Sequence, residues 1–356
     1  MQELSADEAA LLRAVCDNPD EDTPRLVYAD WLDEQGGESR TARAEFIRLQ
    51  VEQYRTTDGP FDTVGERLLA TDREMKLVYQ YARSNDPDGW RGELPGSPGV
   101  QFGTQGTAEG FSRGFVWQLS ASSVGAFLQG APQIYTRVPA TCLHLMRLTI
   151  KDARELAASR HLSRIRVWQD VYHRRTDKML AALAESPHLG NLRVLDLTGA
   201  LLTGPGVRRF LRAPSLKRLT RLCLASCRDL GAEGAEAIAA AVTTEGLEHL
   251  NLSYCHFDSG PARVIAAAPG MRRMKELNMS VNQLDDEAAV AFAAAPWPEL
   301  RSLYIPQNQI GDRGAEAILN SASLRQSRAR IWLRENPISE AMRAELKKAY
   351  GERVVF

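Results

Sequence analysis

The chain has 356 residues and a formal net charge of −1 at pH 7, and its length predicts two or three structural units. Its 44% hydrophobic and 25% charged residues are typical of globular proteins and exclude an intrinsically disordered chain. No stretch of about eighteen residues is uninterruptedly apolar, so we expect no transmembrane helix and no membrane partner. Five scattered cysteines, an odd number, do not suit a disulfide framework and favour a reducing compartment. Because the N-terminus lacks a signal-peptide pattern, we expect a cytoplasmic protein.

Charge is distributed unevenly along the chain. Residues 1–39 contain eleven carboxylates and only two arginines, a net charge of −9, so the remainder carries +8. An acidic head before a basic body suggests that the head docks on the body or on a basic partner. An ordinary solvated helical face is the alternative, and we favour it from the sequence.

Three helices are predicted in the head. Ser5 and Glu8 have the spacing of a capping box, which predicts a helix up to about residue 16. The second helix is predicted from Thr23, its N-cap, to the double glycine at residues 36–37. The third is predicted in "RTARAEFIRLQVEQY". Residues of the second helix at helical spacing form one apolar, core-facing stripe: Val27, Tyr28, Trp31 and Leu32.

Residues 53–112 carry fewer signals. A helix is predicted around residues 62–84, followed by a connector rich in glycine and proline. Gly103, Gly106 and Gly110 have the loose spacing of a phosphate-binding loop, but no strand precedes them and no G-K-[ST] follows. We therefore interpret them as linker, and expect no cofactor and no small-molecule substrate.

Internal repetition dominates the rest of the chain. Five segments, the first beginning "LRVLDL" at residue 192, share the pattern L-x-x-L-x-L or a close substitute, and "RARIWL" closes the series. We call the third apolar residue of this pattern the ruler position. Successive rulers are 26 to 28 residues apart: Leu197, Leu224, Leu252, Met279, Ile305 and Leu333.

Each repeat is predicted to contain a short strand, a turn and a helix. Alanine-rich runs such as "AEGAEAIAAAV" follow the rulers and favour helix. Pro214, Pro269 and Pro296 lie seventeen residues after their rulers and are predicted to end these helices. One such unit cannot bury its apolar face alone, whereas a stack of units can.

Two weaker units precede the regular array. Their apolar ruler residues are predicted to be Ile150 and Val167, which are only 17 residues apart. Residues 114–120 are predicted as a first strand, and the following "VGAFLQGAPQIY" as a capping helix. The array is therefore predicted to span residues 113–356 and to contain eight strands from its strong and weak repeats.

This pattern resembles leucine-rich repeat proteins of the ribonuclease-inhibitor type, whose long repeats each contain a helix. The resemblance implies an α/β fold: a solenoid with a curved parallel sheet inside and helices outside, here preceded by a small all-α domain. In that family the third residue after the ruler is Asn or Cys, and its side chain bonds the backbone of neighbouring loops. One of the six residues in this column, the alanine, departs from the family: Ala200, Cys227, Cys255, Asn282, Asn308 and Asn336.

The head carries a second resemblance. "RLVYADWLDEQGG" followed by "RAEFIRLQ" resembles the small repeat-companion domain that precedes bacterial leucine-rich repeat arrays, over roughly residues 1–52. "FSRGFVWQLS" resembles the junction in such proteins. The resemblance implies an association with repeats and no established activity. We predict a companion domain at residues 1–57, a helix and connector at 58–112, and the solenoid at 113–356.

Patterns that would indicate catalysis or metal binding are weak. Three cysteines and two histidines of adjacent repeats suggest a zinc site: Cys223, Cys227, Cys255, His249 and His256. Cys227 and Cys255 occupy the structural column, however, so we expect no metal. Asn251 and Asn278 begin glycosylation sequons but lie within predicted strands. We identify no protease, hydrolase or kinase signature and predict that the protein is not an enzyme.

The resemblance implies that residues between the rulers line a concave face, where the family binds partners. Arginine and aromatic side chains dominate interface hot spots, and they cluster at both ends of this face. The predicted partner-binding residues are Arg147, Lys151, Arg164, Arg166, Trp168 and Arg221 in the first half of the array, and Tyr304, Arg330, Trp332 and Arg334 at its end.

Together these features predict a non-enzymatic protein–protein interaction module, a monomer with a protein partner on its concave face. The alternative is a regulator of a bound enzyme, such as a GTPase-activating or inhibitory protein, which the family also includes. An enzyme with its site in residues 1–112, around Asp30 and Glu34, is a less favoured third class. Nucleic acid is not expected, because the array has no groove-reading element and the pI is about 6.6.

Overall fold

The computed structural model describes residues 4–56, 71–82, 90, 96–102, 111–171, 174–242 and 246–356. The chain divides into two compact units: unit 1 comprises Met1–Arg147 and Arg164–Trp168, and unit 2 comprises Leu148–Ser163 and Gln169–Phe356. The predicted boundaries at residues 57 and 112 stay predictions. The predicted helix around residues 62–84 falls partly outside the described residues, and so do the glycines at 103, 106 and 110. A strand, Val100–Phe102, does precede these glycines, so that part of the sequence interpretation was wrong.

Unit 1 begins with the three predicted helices, α1 (Ala6–Asp17), α2 (Thr23–Gln35) and α3 (Glu38–Thr56). Ser5 caps α1, since its hydroxyl accepts the Glu8 N–H at 3.1 Å. Helix α2 starts one residue earlier than predicted, because residue 22 occupies its N-cap position. The double glycine ends α2 as predicted, with φ values of 69° and 91° that few other residues adopt.

The core of the helical head forms between α1, α2 and α3. Tyr28 and Leu32 are each 1% exposed, which confirms these two positions of the predicted stripe. Trp31 is half-buried and stacks on Tyr28, with ring centroids 5.9 Å apart. Val27 is 47% exposed, so the prediction was wrong at that residue. Phe115, from a later strand of unit 1, completes this core.

The remaining elements of unit 1 are short. A capped helix, α4 (Asp72–Leu77), continues as a π-helical turn, and α5 (Val124–Ile134) follows the fourth strand as predicted. The strands are β1 (Val100–Phe102), β2 (Phe111–Ser112), β3 (Phe115–Val116), β4 (Gln118–Ala121), β5 (Cys142–Leu145) and β6 (Val167–Gln169). Strands β2 and β3 form a hairpin. In the main sheet β1 is antiparallel to β4, while β4, β5 and β6 are parallel.

The β2–β3 turn requires a glycine. Gly114 has a φ of +80°, and a Cβ there would lie 2.6 Å from the Ile47 backbone Cα. Its N–H donates to the buried Gln50 Oε1 at 2.7 Å. This close approach explains the "RGF" of the junction in physical terms: the strand after the turn packs directly against α3.

Unit 2 consists of repeated strands and helices. Its strands are parallel and lie in chain order: β7 (Val194–Asp196), β8 (Arg221–Cys223), β9 (His249–Asn251), β10 (Glu276–Asn278), β11 (Ser302–Tyr304), β12 (Arg330–Trp332) and β13 (Val354–Val355). Its helices are α6 (Ile150–Ala157), α7 (Asp177–Ala184), α8 (Gly204–Leu211), α9 (Gly231–Val242), α10 (Ser259–Ala266), α11 (Asp286–Ala294), α12 (Asp312–Asn320), α13 (Ala322–Ser327) and α14 (Glu340–Tyr350). Among the described residues, no helix has the length and apolarity to cross a membrane.

The six strong rulers lie where the sequence predicts them. Each is at most 2% exposed. The N–H of each donates to the carbonyl of the next strand, as from Leu197 to Cys223 at 2.9 Å. Pro214 and Pro269 start 3₁₀ turns shortly after α8 and α10 end, which confirms their predicted role.

A ladder of side chains three positions after the ruler ties consecutive repeats together. The Asn308 amide donates to three backbone carbonyls at 3.1 Å, and its Oδ1 accepts the N–H groups of Asn282 and Leu284. The residue just before each ladder position has a positive φ, including the β-branched Val281 at 54°. This left-handed turn places the amide beside the backbone groups that it satisfies.

The two weaker repeats are shifted from their predicted positions. Ile150 starts α6, with Thr149 as its N-cap, and the strand of that repeat is β5, so its ruler is Leu145. The N–H of Asp170 donates to the Asp196 carbonyl at 2.9 Å, the bond that Leu197 makes in the next repeat. Asp170, and not Val167, is therefore the ruler of the following repeat. The corrected rulers, at residues 145, 170 and 197, restore spacings of 25 and 27 residues.

Candidate functional site

The face of the unit 2 strands that lies opposite the buried ruler side chains is called the open face here. Side chains alternate along a strand, so residues on either side of a buried one share this face. Leu303 and Ile331 are 0% exposed, whereas the flanking residues of β11 and β12 are half-buried or exposed. On the open face, side chains at equivalent positions of neighbouring strands therefore lie side by side in columns across the sheet.

An aromatic pair lies at the C-terminal end of the open face. Tyr304 and Trp332 are partners in the register of β11 and β12. Their ring centroids are 4.0 Å apart and their planes are inclined by 17°, so the rings are stacked. Both side chains are half-buried. Large rings that are already stacked offer contact area to a partner at a low cost in conformational entropy.

Two arginines flank the aromatic pair. Arg330 is the first residue of β12, two residues before Trp332, and Arg334 lies two residues after Trp332 in the turn that follows the strand; both are exposed. At a rise of about 3.3 Å per residue in an extended chain, their Cα atoms are up to about 13 Å apart. Among the described residues, no hydrogen bond or ion pair occupies either guanidinium. The sequence predicts these four side chains at one end of the face, and the structure shows the Tyr304–Trp332 stack among them.

The rest of the open face differs in chemistry. Arg221, another predicted partner-binding residue, is only 9% exposed and offers little surface. His249 Nδ1 lies 3.7 Å from Glu276 Oε2 on the neighbouring strand. Asp196 is 5% exposed. The face thus carries mixed polar groups on β7–β10, with its one arginine there nearly buried, and exposed guanidinium and aromatic groups at β11, β12 and the turn after β12.

Amide and carboxylate groups of this region stabilise the turns after the strands. Asn278 Oδ1 accepts the N–H of Ser280 at 2.9 Å and its hydroxyl at 2.6 Å. Asn251 with Ser253, and Asp196 with Thr198, form the same pair of bonds. The sequon-like "NLS" and "NMS" are therefore turn motifs whose asparagine side chains are already engaged.

In unit 1, two predicted partner-binding arginines bind the acidic head. Arg164 donates to the Cys16 carbonyl at 2.6 Å and to Asp17 Oδ1 at 3.1 Å. Arg166 donates to Asp20 Oδ2 at 3.3 Å. The sequence predicts that these two arginines bind a partner protein, whereas in the structure they bind carboxylate and carbonyl groups of the same chain. Arg166 is 12% exposed, so little of it faces solvent.

Two further arginines bind the loop at residues 17–22. Arg113 is 7% exposed and donates to the Pro19 and Asp20 carbonyls at 2.6 and 2.9 Å. It also pairs with Asp22 at 3.2 Å. Arg25 donates to the Pro19 carbonyl at 2.8 Å and to the Glu21 carbonyl. Three of the eleven carboxylates of the acidic head, Asp17, Asp20 and Asp22, are thus paired with later arginines of unit 1.

The other predicted residues at the N-terminal end do not form an exposed strand surface. Trp168 pairs in register with the interior residue Leu143 and is 2% exposed, so its expected exposure was wrong. Lys151 lies in α6, where it pairs with Glu155 at 3.7 Å, and not on a strand. Arg147 is exposed between β5 and α6, so its placement on a strand was also wrong. Requiring apolar rulers shifted all three positions.

Sequence reasoning missed a buried ion pair in unit 2. Arg175 Nη2 donates to Asp170 Oδ1 at 2.8 Å, and Nε donates to Oδ2. Asp170 is 1% exposed and Arg175 4% exposed. The carboxylate occupies a ruler position because this bidentate partner satisfies it. A constant 25–28-residue spacing, applied without regard to residue type, would have pointed to Asp170.

The cysteines of the ladder column act as hydrogen-bond donors. Cys227 Sγ donates to the Leu197 carbonyl at 3.5 Å, and Cys255 Sγ to the Leu224 carbonyl at 3.1 Å. Burial raises the pKa of both thiols to about 12, which keeps them protonated at neutral pH. Within the described part of the chain, no group of three or more His, Cys, Asp or Glu side chains is arranged to hold a metal.

Comparison with known proteins agrees with this architecture. Residues 217–239, 272–293 and 299–319 match the family model described as Leucine Rich repeat. With the repeat geometry, this confirms the predicted fold class, an α/β leucine-rich repeat solenoid preceded by an all-α region. No curated protein matches the chain significantly.

Several solved structures are similar at low identity. The yeast Rad7–Elc1 complex is 12% identical, with 95% of this chain and 96% of that chain covered and a TM-score of 0.44. A Bacteroides fragilis protein is 14% identical, with 72% and 87% covered and a TM-score of 0.40. The internalin inlF of Listeria monocytogenes is 16% identical, with a TM-score of 0.36, and the chain spans 59% of its length.

Proposed function

We propose that the protein is a protein–protein interaction module that binds its partner on the open face of unit 2. The observation that carries the proposal is the stacked Tyr304–Trp332 pair, half-buried on a sheet face. Clustered Trp, Tyr and Arg side chains are the types that dominate binding energy at interfaces. Leucine-rich repeat segments, which unit 2 contains, generally present such surfaces to protein partners.

The proposed action is binding and not catalysis. Polar side chains near the centre of the open face are engaged in the turns, as Asn251 and Asn278 show. The exposed groups at the end of the face are guanidiniums and aromatic rings, which bind and orient but do not transfer protons at neutral pH. In this proposal the protein acts as a cytoplasmic monomer without a cofactor.

Affinity capture with substituted chains tests the proposal. Trp332→Ala should weaken capture of the wild-type partner by about thirtyfold, the effect of a hot-spot residue worth about 2 kcal/mol. Tyr79→Ala is a matched control, because Tyr79 is an aromatic residue 70% exposed in unit 1. Far-UV circular dichroism checks that both variants fold.

Retention of every wild-type partner at full affinity by folded Trp332→Ala would show that the open face is not the binding surface. A regulator of a bound enzyme, the alternative prediction, would engage the same face. The captured protein itself separates the two functions: an enzyme whose turnover changes on binding supports a regulator, and any other partner supports an adaptor.

A further inference from the structure

The aromatic pair and its two arginines form one recognition element along β12. Arg330 and Trp332 share one face of β12, and Arg334 follows in the turn after the strand; the intervening Ile331 and Leu333 are 0% exposed, so the exposed side chains alternate with buried ones. A central ring therefore lies between two exposed cations whose Cα atoms are up to about 13 Å apart. Tyr304 supports Trp332 from the side of β11.

From this arrangement we infer that the partner contributes an acidic segment, with an apolar or aromatic side chain held between two carboxylates. The inference rests on the proposed function and specifies its partner. A guanidinium binds a carboxylate through two parallel hydrogen bonds, which are stronger than neutral ones. The rings accept the apolar side chain. In an extended segment, residues i and i+4 are also about 13 Å apart, and residue i+2 points the same way.

Recognition proceeds through side chains and not by addition of a strand. The Arg330 N–H donates to the Arg301 carbonyl, the Leu333 N–H donates to Val355, and the Arg334 carbonyl accepts the Gln307 N–H. The backbone groups of β12 and of the residues after it are thus hydrogen-bonded to the chain segments on both sides of the strand. A partner segment therefore lies over the open face, along the direction of β12, and contacts the arginines and the rings through its side chains.

Charges elsewhere on the open face favour a protein segment over nucleic acid. Glu276, which is half-buried, projects from β10 on the face that carries Trp332. A phosphate backbone laid along the sheet would meet this carboxylate. Affinity for nucleic acid arises from many phosphate contacts, whereas β12 and the turn after it supply two exposed arginines.

Three fluorescein-labelled peptides and the full-length chain test the inference by fluorescence anisotropy. Their cores are D-G-F-G-D, N-G-F-G-N and K-G-F-G-K, and a twelve-nucleotide single-stranded RNA is the fourth probe. The acidic peptide should bind at least about tenfold more tightly than the amide peptide, because two charge-assisted pairs are lost in the latter. Its affinity should fall as the salt concentration rises.

Charge reversal identifies the arginines responsible. The double variant Arg330→Glu/Arg334→Glu should lose the acidic peptide and prefer the lysine peptide. Arg272→Glu/Arg273→Glu is the matched control, since both residues are exposed in a 3₁₀ turn away from the open face. That control should retain the preference for the acidic peptide.

Three results would overturn the inference. Equal binding of the acidic and amide peptides, or tighter binding of RNA that charge reversal abolishes, would show that the partner is not an acidic segment. Absence of peptide binding, while Trp332→Ala still loses the captured partner, would reject the two-carboxylate motif and leave the proposed function standing. If Trp332→Ala also keeps that partner, both are wrong.

Discussion

Substitution of Asp170 tests how the buried Asp170–Arg175 ion pair contributes to the stability of unit 2. Asp170→Leu places at this ruler position the leucine found in neighbouring repeats, yet we expect it to destabilise the protein. The reason is Arg175, whose side chain is 5% exposed and would lose both bonds to the carboxylate. An arginine side chain cannot become neutral by losing a proton, so a buried guanidinium without its carboxylate stays charged.

The expected magnitude follows from burial of both partners. Breaking a buried pair by removal of one partner lowers the free energy of unfolding by about 3–5 kcal/mol. Replacing both partners with apolar side chains of similar volume is neutral or stabilising by about 1–4 kcal/mol. We therefore expect Asp170→Leu/Arg175→Met to recover all of the stability that Asp170→Leu loses.

Urea unfolding followed by circular dichroism measures both variants. The exposed pair Arg209–Glu185, whose side chains are 69% and 70% exposed, supplies the control. Arg209→Met should change the free energy of unfolding by no more than about 1 kcal/mol. If Asp170→Leu is no worse than this control, or if the double variant loses as much as the single one, the ion pair does not act as described.

Three other substitutions test particular contacts. Gly114→Ala should lower the free energy of unfolding by about 2–5 kcal/mol in a thermal melt, because its φ of +80° and its approach to Ile47 both oppose a Cβ; an unchanged melting temperature would contradict this. Asn308→Ala should cost about 2–5 kcal/mol in urea, since it leaves two buried N–H groups without an acceptor, and a loss below 1 kcal/mol would refute the ladder's role. The hydrogen bond from Ser259 lowers the pKa of Asp285 below its usual 3.8, so its contribution is complete above pH 3.8 and is lost as the pH falls through the folded-state pKa; Asp285→Asn should flatten this acid limb, and an unaltered limb would exclude the effect.

The regular part of the fold was predictable because its signal is periodic and local. Apolar residues 26 to 28 positions apart identify six rulers, and each is buried as predicted. A residue's place on a strand can be counted from its ruler. Tyr304 and Trp332 each precede a ruler by one residue, so the sequence alone assigns them to the same column. Parallel strands in register turn such columns into rows of neighbours.

The errors arose where a long-range partner changes what a residue can do. Asp170 fills a ruler position only because Arg175 satisfies it, and an apolar criterion excludes such a residue. The same criterion shifted the strand that contains Trp168. Arg164 could not be assigned to the acidic head, because its partner Asp17 lies 147 residues away in sequence. No periodicity encodes a pairing at that distance.

That separation has a consequence for how unit 1 is made. The loop at residues 17–22 is completed by Arg113, Arg164 and Arg166, so its native contacts form only after the chain beyond residue 166 has been synthesised. At about 5–20 residues per second, a ribosome needs roughly 7–30 seconds to extend the chain from the loop to these arginines. During that interval the loop emerges without these three arginines, and the core between α1, α2 and α3 first forms without Phe115. Nascent chains arrested with residue 168 still inside the ribosomal exit tunnel and with residue 168 already outside it should therefore differ in the protease resistance of the head.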